Sequence, residues 1–409
     1  MSKQYTILET FVGAGGSHIG FKKNNFKSVF VNDIDQNCLN TLLYNNPEIA
    51  STAVVNNQNI VDLDGKKILK QINLKKNELD VMFGGIVCKG FSLAGERSPA
   101  DDRNDYYRYQ LKLVEQIKPK ISIIENVPGI INAYILKQDT PKSVRNKVSV
   151  LWKKIEDYKG FKANARKKGK IDKKIENLGK ELRIEKKRCL ELLKKEGYLI
   201  SVKEDIENIY KKIGYITYKK VLNSAWYGSY TKRERIIIVA VRKDINIEYK
   251  YPEAKYCNEK DYKTVGQALS LIKNNKNDVD NIPMHHNKKT TERFKYVKEG
   301  ENLSEKIDYL PKKLRISKFY SRGSTMRLDS KKCSPTLVPG HSNFPIHPFE
   351  DRVITVREAA TITGFPLDYK FFGSHTKRCE QVGNAVPPHL STAIAKSCVD
   401  LLDAYYKKK

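Results

Sequence analysis

The chain has 409 residues, 40% hydrophobic and 30% charged, and no run approaches ~20 consecutive apolar residues. That excludes a helical membrane protein and a small stapled scaffold, and leaves length for one large domain with insertions or for two domains. Seventy-six Lys and Arg against 47 Asp and Glu give a net charge of +29, which favours a polyanionic partner, nucleic acid first.

The opening MSKQYTILETF runs straight into an apolar segment without the basic and hydrophobic regions of a signal peptide, so a cytoplasmic location is expected. Over the first 130 residues, strand-like segments at Thr6–Leu8, Ser28–Val31, Asp80–Phe83 and Ile121–Ile124 alternate with helical material. This is the pattern of a parallel sheet with crossover helices, whose ligand sites collect at the carboxyl ends of the strands. Gly13–Gly16, Asp33, Cys88 and Glu125 are therefore expected to face one crevice.

From Lys142 to Lys212 the chain carries 23 Lys and Arg against 11 Asp and Glu. Ile171, Ile175, Leu178, Leu182, Cys189 and Leu192 follow heptad spacing, so a basic helix or helical hairpin is expected here. It reads equally as an arm along nucleic acid or as a solvated helix pair. Strand-like chain returns at Tyr215–Leu222 and Ile236–Val241, followed by polar, irregular chain to about Arg322. Ordered elements resume at Val353, and a closing helix follows Pro388. The expected organisation is a core of 1–141 and 213–244, an insert at 142–212, a second inserted domain at 245–325, and a return to the core over 326–409.

Phe11-Val-Gly-Ala-Gly-Gly16 is a glycine-rich turn between a strand and a helix, suited to close approach of a cofactor. Its glycine spacing differs from the dinucleotide fingerprint, which argues against NAD. Asp33, at the end of the next strand, suits ribose hydroxyls, and Asp62-Leu63 suits an adenine amino group. Together they suggest an adenosine-containing cofactor. The seven cysteines contain no C-x-x-C pair, which argues against a zinc ribbon, and no metal site is expected. Cys88, in Gly84-Gly-Ile-Val-Cys88-Lys-Gly-Phe-Ser92, reads either as a nucleophile activated by loop N–H groups and Lys89 or as a small buried residue. Glu125 closes an all-apolar strand, where burial raises a carboxyl pKa into general-acid range. Arg233 and Arg235 are two residues apart, on one face of a strand.

In this order the motifs resemble those of the DNA (cytosine-5) methyltransferase family over about 1–135 and 215–409. FVGAGG looks like its cofactor loop, GGIVCKGFS is similar to its catalytic loop, and Glu125-Asn-Val matches outright. His347-Pro, Arg352, Thr355-Val-Arg-Glu358, Gly364-Phe-Pro366 and Gln381-Val-Gly-Asn-Ala-Val-Pro-Pro388 follow in family order. The resemblance implies a Rossmann-like α/β methyltransferase domain, a smaller target-recognition domain, and S-adenosyl-L-methionine as donor, with S-adenosyl-L-homocysteine as product. It makes Cys88 the nucleophile and Glu125 the N3 acid, with Arg233 and Arg235 steadying the base. Phe11, Gly13, Ala14, Gly15, Gly16, Asp33, Ile34, Asp62, Leu63, Asn384 and Ala385 would line the cofactor.

The partner implied is double-stranded DNA, acted on by a monomer beside a separately acting restriction endonuclease. Lys89, Ser92, Arg103, Arg315, Lys318, Tyr320 and Arg322 are the DNA-contact candidates. Several residues depart from the family pattern. Val87 and Lys89 flank the cysteine where proline and glutamine are usual, Glu9-Thr10 stands for Asp-Leu, and Tyr230-Thr231 stands for Pro-Gln. An RNA cytosine-5 methyltransferase and a catalytically impaired homologue remain the alternatives at this point.

Overall fold

The computed structural model describes residues 3–86, 98–167, 172–273, 277–316 and 323–408. Cys88, Lys89, Ser92, Ile171, Lys318, Tyr320 and Arg322 lie outside the described residues, as does the side chain of Arg103.

Seven strands form the main sheet: β1 (Tyr5–Thr10), β2 (Phe26–Asn32), β3 (Val54–Asn56), β4 (Val81–Gly85), β5 (Ile121–Asn126), β6 (Tyr215–Asn223) and β7 (Glu234–Arg242). Their order across the sheet is β3-β2-β1-β4-β5-β7-β6. The four expected early strands are present, and the order reverses on either side of β1, which makes a crevice at the carboxyl ends of β1 and β4. The strands β1–β5 are parallel, as expected for the first 130 residues, and the edge beyond β5 is mixed. β7 runs antiparallel to both β5 and β6, because β6 and β7 are joined by a short connection and need no crossover helix.

Alternation of side chains assigns each strand to two cores. Leu8, Met82, Ile124, Ile236 and Ile238 face helices Tyr106–Ile117 and Val202–Lys212. Ile7, Val81, Phe83, Ile123 and Ile237 face helices Gly16–Lys23 and Pro388–Lys407. The sheet is thus sandwiched between helical layers, and the last helix returns the chain to its first strand. Contact between those two helices needs Gly16, where a Cβ would stand 2.1 Å from the Val386 carbonyl oxygen.

A second apolar cluster runs from Val265 through Leu337, Phe344 and Val353 to Ala385, and takes in Ala14 and Ile19. It crosses position 325/326 without a break, and residues from Val386 onward join the core on the sheet's own face. Arg327 organises this lobe. Its five donors reach the carbonyls of Val297, His347, Glu350 and Phe294 and the carboxylate of Asp351, at 2.6–2.8 Å. Beside it Arg352 grips Glu358 through both terminal nitrogens at 2.8 Å, and Thr355 and Glu358 form a capping box on helix Val356–Thr363. The motif His347–Glu358 is therefore a structural clasp.

The basic insert is a helical hairpin, Lys142–Lys167 and Lys173–Lys195, rooted by Tyr134–Leu136 pairing antiparallel with Leu199–Ser201. Its seam is Val148, Leu151, Trp152 and Ile155 against Leu182 and Leu193, with Tyr158 donating to the Ile175 carbonyl. The heptad assignment is corrected here: Leu178 and Leu192 are 43% and 58% exposed. The helices cross at Gly179, where a Cβ would meet the Tyr158 hydroxyl, and a straight 3.6-residue helix turns Leu178 and Leu192 off that line. Residues 202–212 form a core helix on the sheet, so the protruding part ends before Leu199.

Candidate active site

The glycine turn follows β1 directly. Phe11, Gly13 and Gly15 have positive φ, and Gly15 caps helix Gly16–Lys23. No atom lies within 4 Å of where a Gly13 Cβ would stand, so the loop's open side is a cradle. Asp33, just past β2, holds the loop in place: its carboxylate accepts from the Gly13 N–H at 2.8 Å and the Asp35 N–H at 2.9 Å. Burial pushes the Asp33 carboxyl up while those two N–H groups pull it back. Ile34 stands 65% exposed beside it, held by Asn57, which donates to the carbonyls of Asp33 and Ile34. An unpartnered apolar face of that size beside the cradle suits a flat aromatic ligand.

Asp62 does not end a strand as expected. β3 stops at Asn56, and Asp62 is an exposed residue of the 3-10 turn Ile60–Asp62, with Leu63 buried behind it. The turn forms because the Asn59 side chain accepts from the Val61 N–H. From the far end of the chain, Asn384 is exposed at the end of helix His375–Asn384, and buried Ala385 packs against Gly16. Phe11 lies at the loop's start, its ring 6.1 Å from that of Tyr106. Asp33 thus meets the glycine turn at Gly13, and Ala385 meets it at Gly16.

Beside this turn, the penultimate residue of β5 is Glu125, 6% exposed, across from Gly85 of β4. The Arg235 Nε lies 2.7 Å from Glu125 Oε1. Burial pushes the Glu125 carboxyl up, and the charges of Arg235 and Arg233 pull it back. Arg233 is 3% exposed and donates to the Leu337 carbonyl of the second lobe at 3.2 Å. Arg235 meets the acid, and Arg233, immediately before β7, ties that strand to the second lobe. Asn126 donates to the carbonyl of Ile86, the residue immediately before the undescribed 87–97 segment. A cleft of about 440 Å³, lined by Pro128, Asn223, Lys232, Arg235 and Thr336 among others, opens beside the pair.

Of the DNA-contact candidates, Arg315 alone has a described side chain. It donates to the Leu310 and Asp308 carbonyls and so closes its own loop. Sequence reasoning missed Tyr369, whose hydroxyl donates to the Ala14 carbonyl at 2.6 Å across 355 positions. It also missed the fastening role of Asn126 and the buried Glu9, which holds Ser17 and His18 beneath the glycine turn. Asn126 had a signal, its place in the matching Glu125-Asn-Val triplet; Tyr369 had none.

Strand order, glycine turn and an acid at the end of β5 define a Rossmann-like methyltransferase. The chain belongs to the C-5 cytosine-specific DNA methylase family, whose model matches residues 5–151 and 189–400. Its activity is methylation of cytosine C5 in DNA. Similar proteins include the type II methyltransferase M.Eco47II of Escherichia coli, 27% identical over 99% of this chain and 81% of its own length. Another is M.PspPI of a Psychrobacter species, 28% identical over 98% of this chain and 81% of its own length. Among solved structures, the S. pombe Dnmt2 methyltransferase shares the fold, with TM-score 0.57 and 12% identity over 98% of this chain and 99% of that one.

Proposed function

We propose that this chain methylates a cytosine flipped out of duplex DNA, with Cys88 as nucleophile, Glu125 as acid and S-adenosyl-L-methionine as donor. The observation carrying the assignment is Glu125: a buried carboxyl at the carboxyl edge of the sheet, gripped by Arg235, beside the glycine turn. The donor's fit rests on the open cradle at Gly13 and the exposed Ile34. Its adenine would lie between Phe11 and Ile34 with Asp62 and Leu63 at its edge. Its ribose would reach the lone pairs of Asp33 not engaged by N–H groups, and its amino-acid end would meet Ala14–Gly16, Asn384 and Ala385. Bound there, it supplies a methyl made electrophilic by its sulfonium.

Cytosine C5 is a weak nucleophile, so the protein must first raise its electron density. The Cys88 thiolate adds to C6, forming a C–S bond, while Glu125 gives its proton to N3; C5 becomes enamine-like. After methylation, loss of the C5 proton to solvent expels the thiolate, and N3 returns its proton to Glu125, which restores the ring. The base must leave the stack for these atoms to be reached. Arg235 orients Glu125, and Asn126, by holding Ile86, anchors the start of the segment that carries Cys88. Lys89, Ser92 and Arg103 would meet phosphates around the flipped nucleotide, and Lys318 and Arg322 belong to the region reading the site. The protein would act as a monomer in the cytoplasm, with any cognate endonuclease acting separately.

The test is tritiated methyl transfer to mixed genomic DNA with bisulfite sequencing of the product. Protected cytosines within one short motif are expected. Cys88→Ala is expected to bind DNA and transfer no methyl, and substantial methylation by that variant overturns the covalent mechanism.

A further inference from the structure

The family's pattern skips residues 152–188, and these form most of the protruding helical hairpin. The segment carries 15 Lys and Arg against 6 Asp and Glu. Its seam buries Trp152, Ile155 and Leu182, which leaves its charges on the outer faces beside exposed Phe161, Leu178 and Ile184. Lys153, Lys154, Arg166, Lys173, Lys180 and Arg188 are all exposed.

Its root decides where those charges lie. The hairpin leaves the fold just past the carboxyl end of β5, ten residues after Glu125, through Tyr134–Leu136. Leu136 donates its N–H to the Pro99 carbonyl, and Ala100 packs into the hairpin's base, so the base touches the chain directly following the 87–97 segment. The hairpin therefore projects from the edge of the sheet that holds the acid. A helix of 26 residues is about 39 Å long, comparable to ~11 base pairs or one turn of duplex.

We propose that the hairpin is a phosphate-binding arm, lying along the DNA backbone to one side of the target site and lengthening the footprint by about one turn. This rests on the DNA-methylating activity and adds to it a contact surface that the family pattern lacks. The occupant is a polyanion of regular spacing, matched by surface cations and by no apolar groove. Each phosphate neutralised releases counterions, which makes binding steeply salt-dependent and blind to sequence.

The experiment compares the full chain with a variant carrying Lys153→Gln, Lys154→Gln, Arg166→Gln, Lys173→Gln, Lys180→Gln and Arg188→Gln, all at exposed positions. Affinity is measured against salt on 14-base-pair and 40-base-pair duplexes carrying the target site. The expected result on the long duplex is a loss of tenfold or more, with a salt slope shallower by ~0.9 for each contact removed. On the short duplex the two proteins are expected to agree within about threefold, with equal methyl transfer at saturating DNA. An unchanged slope, or equal losses on both lengths, overturns the arm. A slope that changes on structured RNA and not on duplex DNA overturns it in favour of an RNA partner. Methylation absent from both proteins, with the long-duplex difference intact, overturns the enzymatic reading and leaves the arm standing.

Discussion

Two buried, arginine-centred clusters in this chain use the same residue types to opposite ends. In the second lobe, every donor of Arg327 ends on a carbonyl or carboxylate of the protein, and Arg352 and Glu358 close on each other through two bonds. In the sheet lobe, Glu125 is buried at a strand end beside an open cleft, its carboxyl driven up by burial and drawn down by two arginines. A saturated cluster fixes a shape. A cluster at the mouth of a cleft, whose acid is balanced between opposing influences, is able to hold or release a proton.

The sharpest way to break that contrast is Glu125→Gln. The amide keeps the shape and removes the proton donor, so methyl transfer is expected to fall by about 10²–10⁴. Thermal unfolding should move less than activity, because the amide oxygen still accepts from Arg235 although it no longer balances that charge. A large drop in melting temperature with modest loss of activity would place Glu125 among the structural clusters. The mirror experiment is Arg327→Met. Four carbonyls and Asp351 lose their donors, and a cost of about 3–5 kcal/mol is expected in chemical denaturation. Binding of S-adenosyl-L-methionine at the sheet, measured by calorimetry under folding conditions, should change far less than stability does.

A smaller effect separates the lobes by pH. His389 begins the last helix, packed against Gly364, and burial lowers its pKa from 6.5 to about 4, helped by the charges of Lys263 and Lys23. A buried neutral histidine binds its proton more weakly folded than unfolded. Its contribution is therefore full above pH ~6.5 and is lost as pH falls toward 4, by roughly 3 kcal/mol. In His389→Phe the acid limb of the stability curve should flatten over that window. An unchanged limb would show that His389 is not what couples the two lobes to pH.

Much of this was legible in the residues. The apolar runs Ile121–Ile124 and Ile236–Val241 mark strands buried on both faces, and the glycine turn after β1 and Glu125 near the end of β5 follow from strand ends. Local pattern carries no direction, so the sequence left open that β7 runs antiparallel to its neighbours. The heptad reading placed Leu178 and Leu192 in a seam from which they are turned away, because spacing does not say which line of a helix its partner takes. Asp62 was found by motif and misplaced by pattern, since the Asn59-capped turn that carries it has no strand-like signature.

The amino-acid sequence by itself determined the composition of each lobe, the family to which the chain belongs, and the excess positive charge outside the family's pattern. Those properties live in residue order, periodicity and net charge, which do not need coordinates. Only the tertiary structure decided that Tyr369 holds Ala14, that Val386 meets Gly16, and that Arg235 grips Glu125 while Arg233 reaches Leu337. These pairings join residues up to 370 positions apart, and the hydrogen bonds and close packing behind them act over a few ångströms of space.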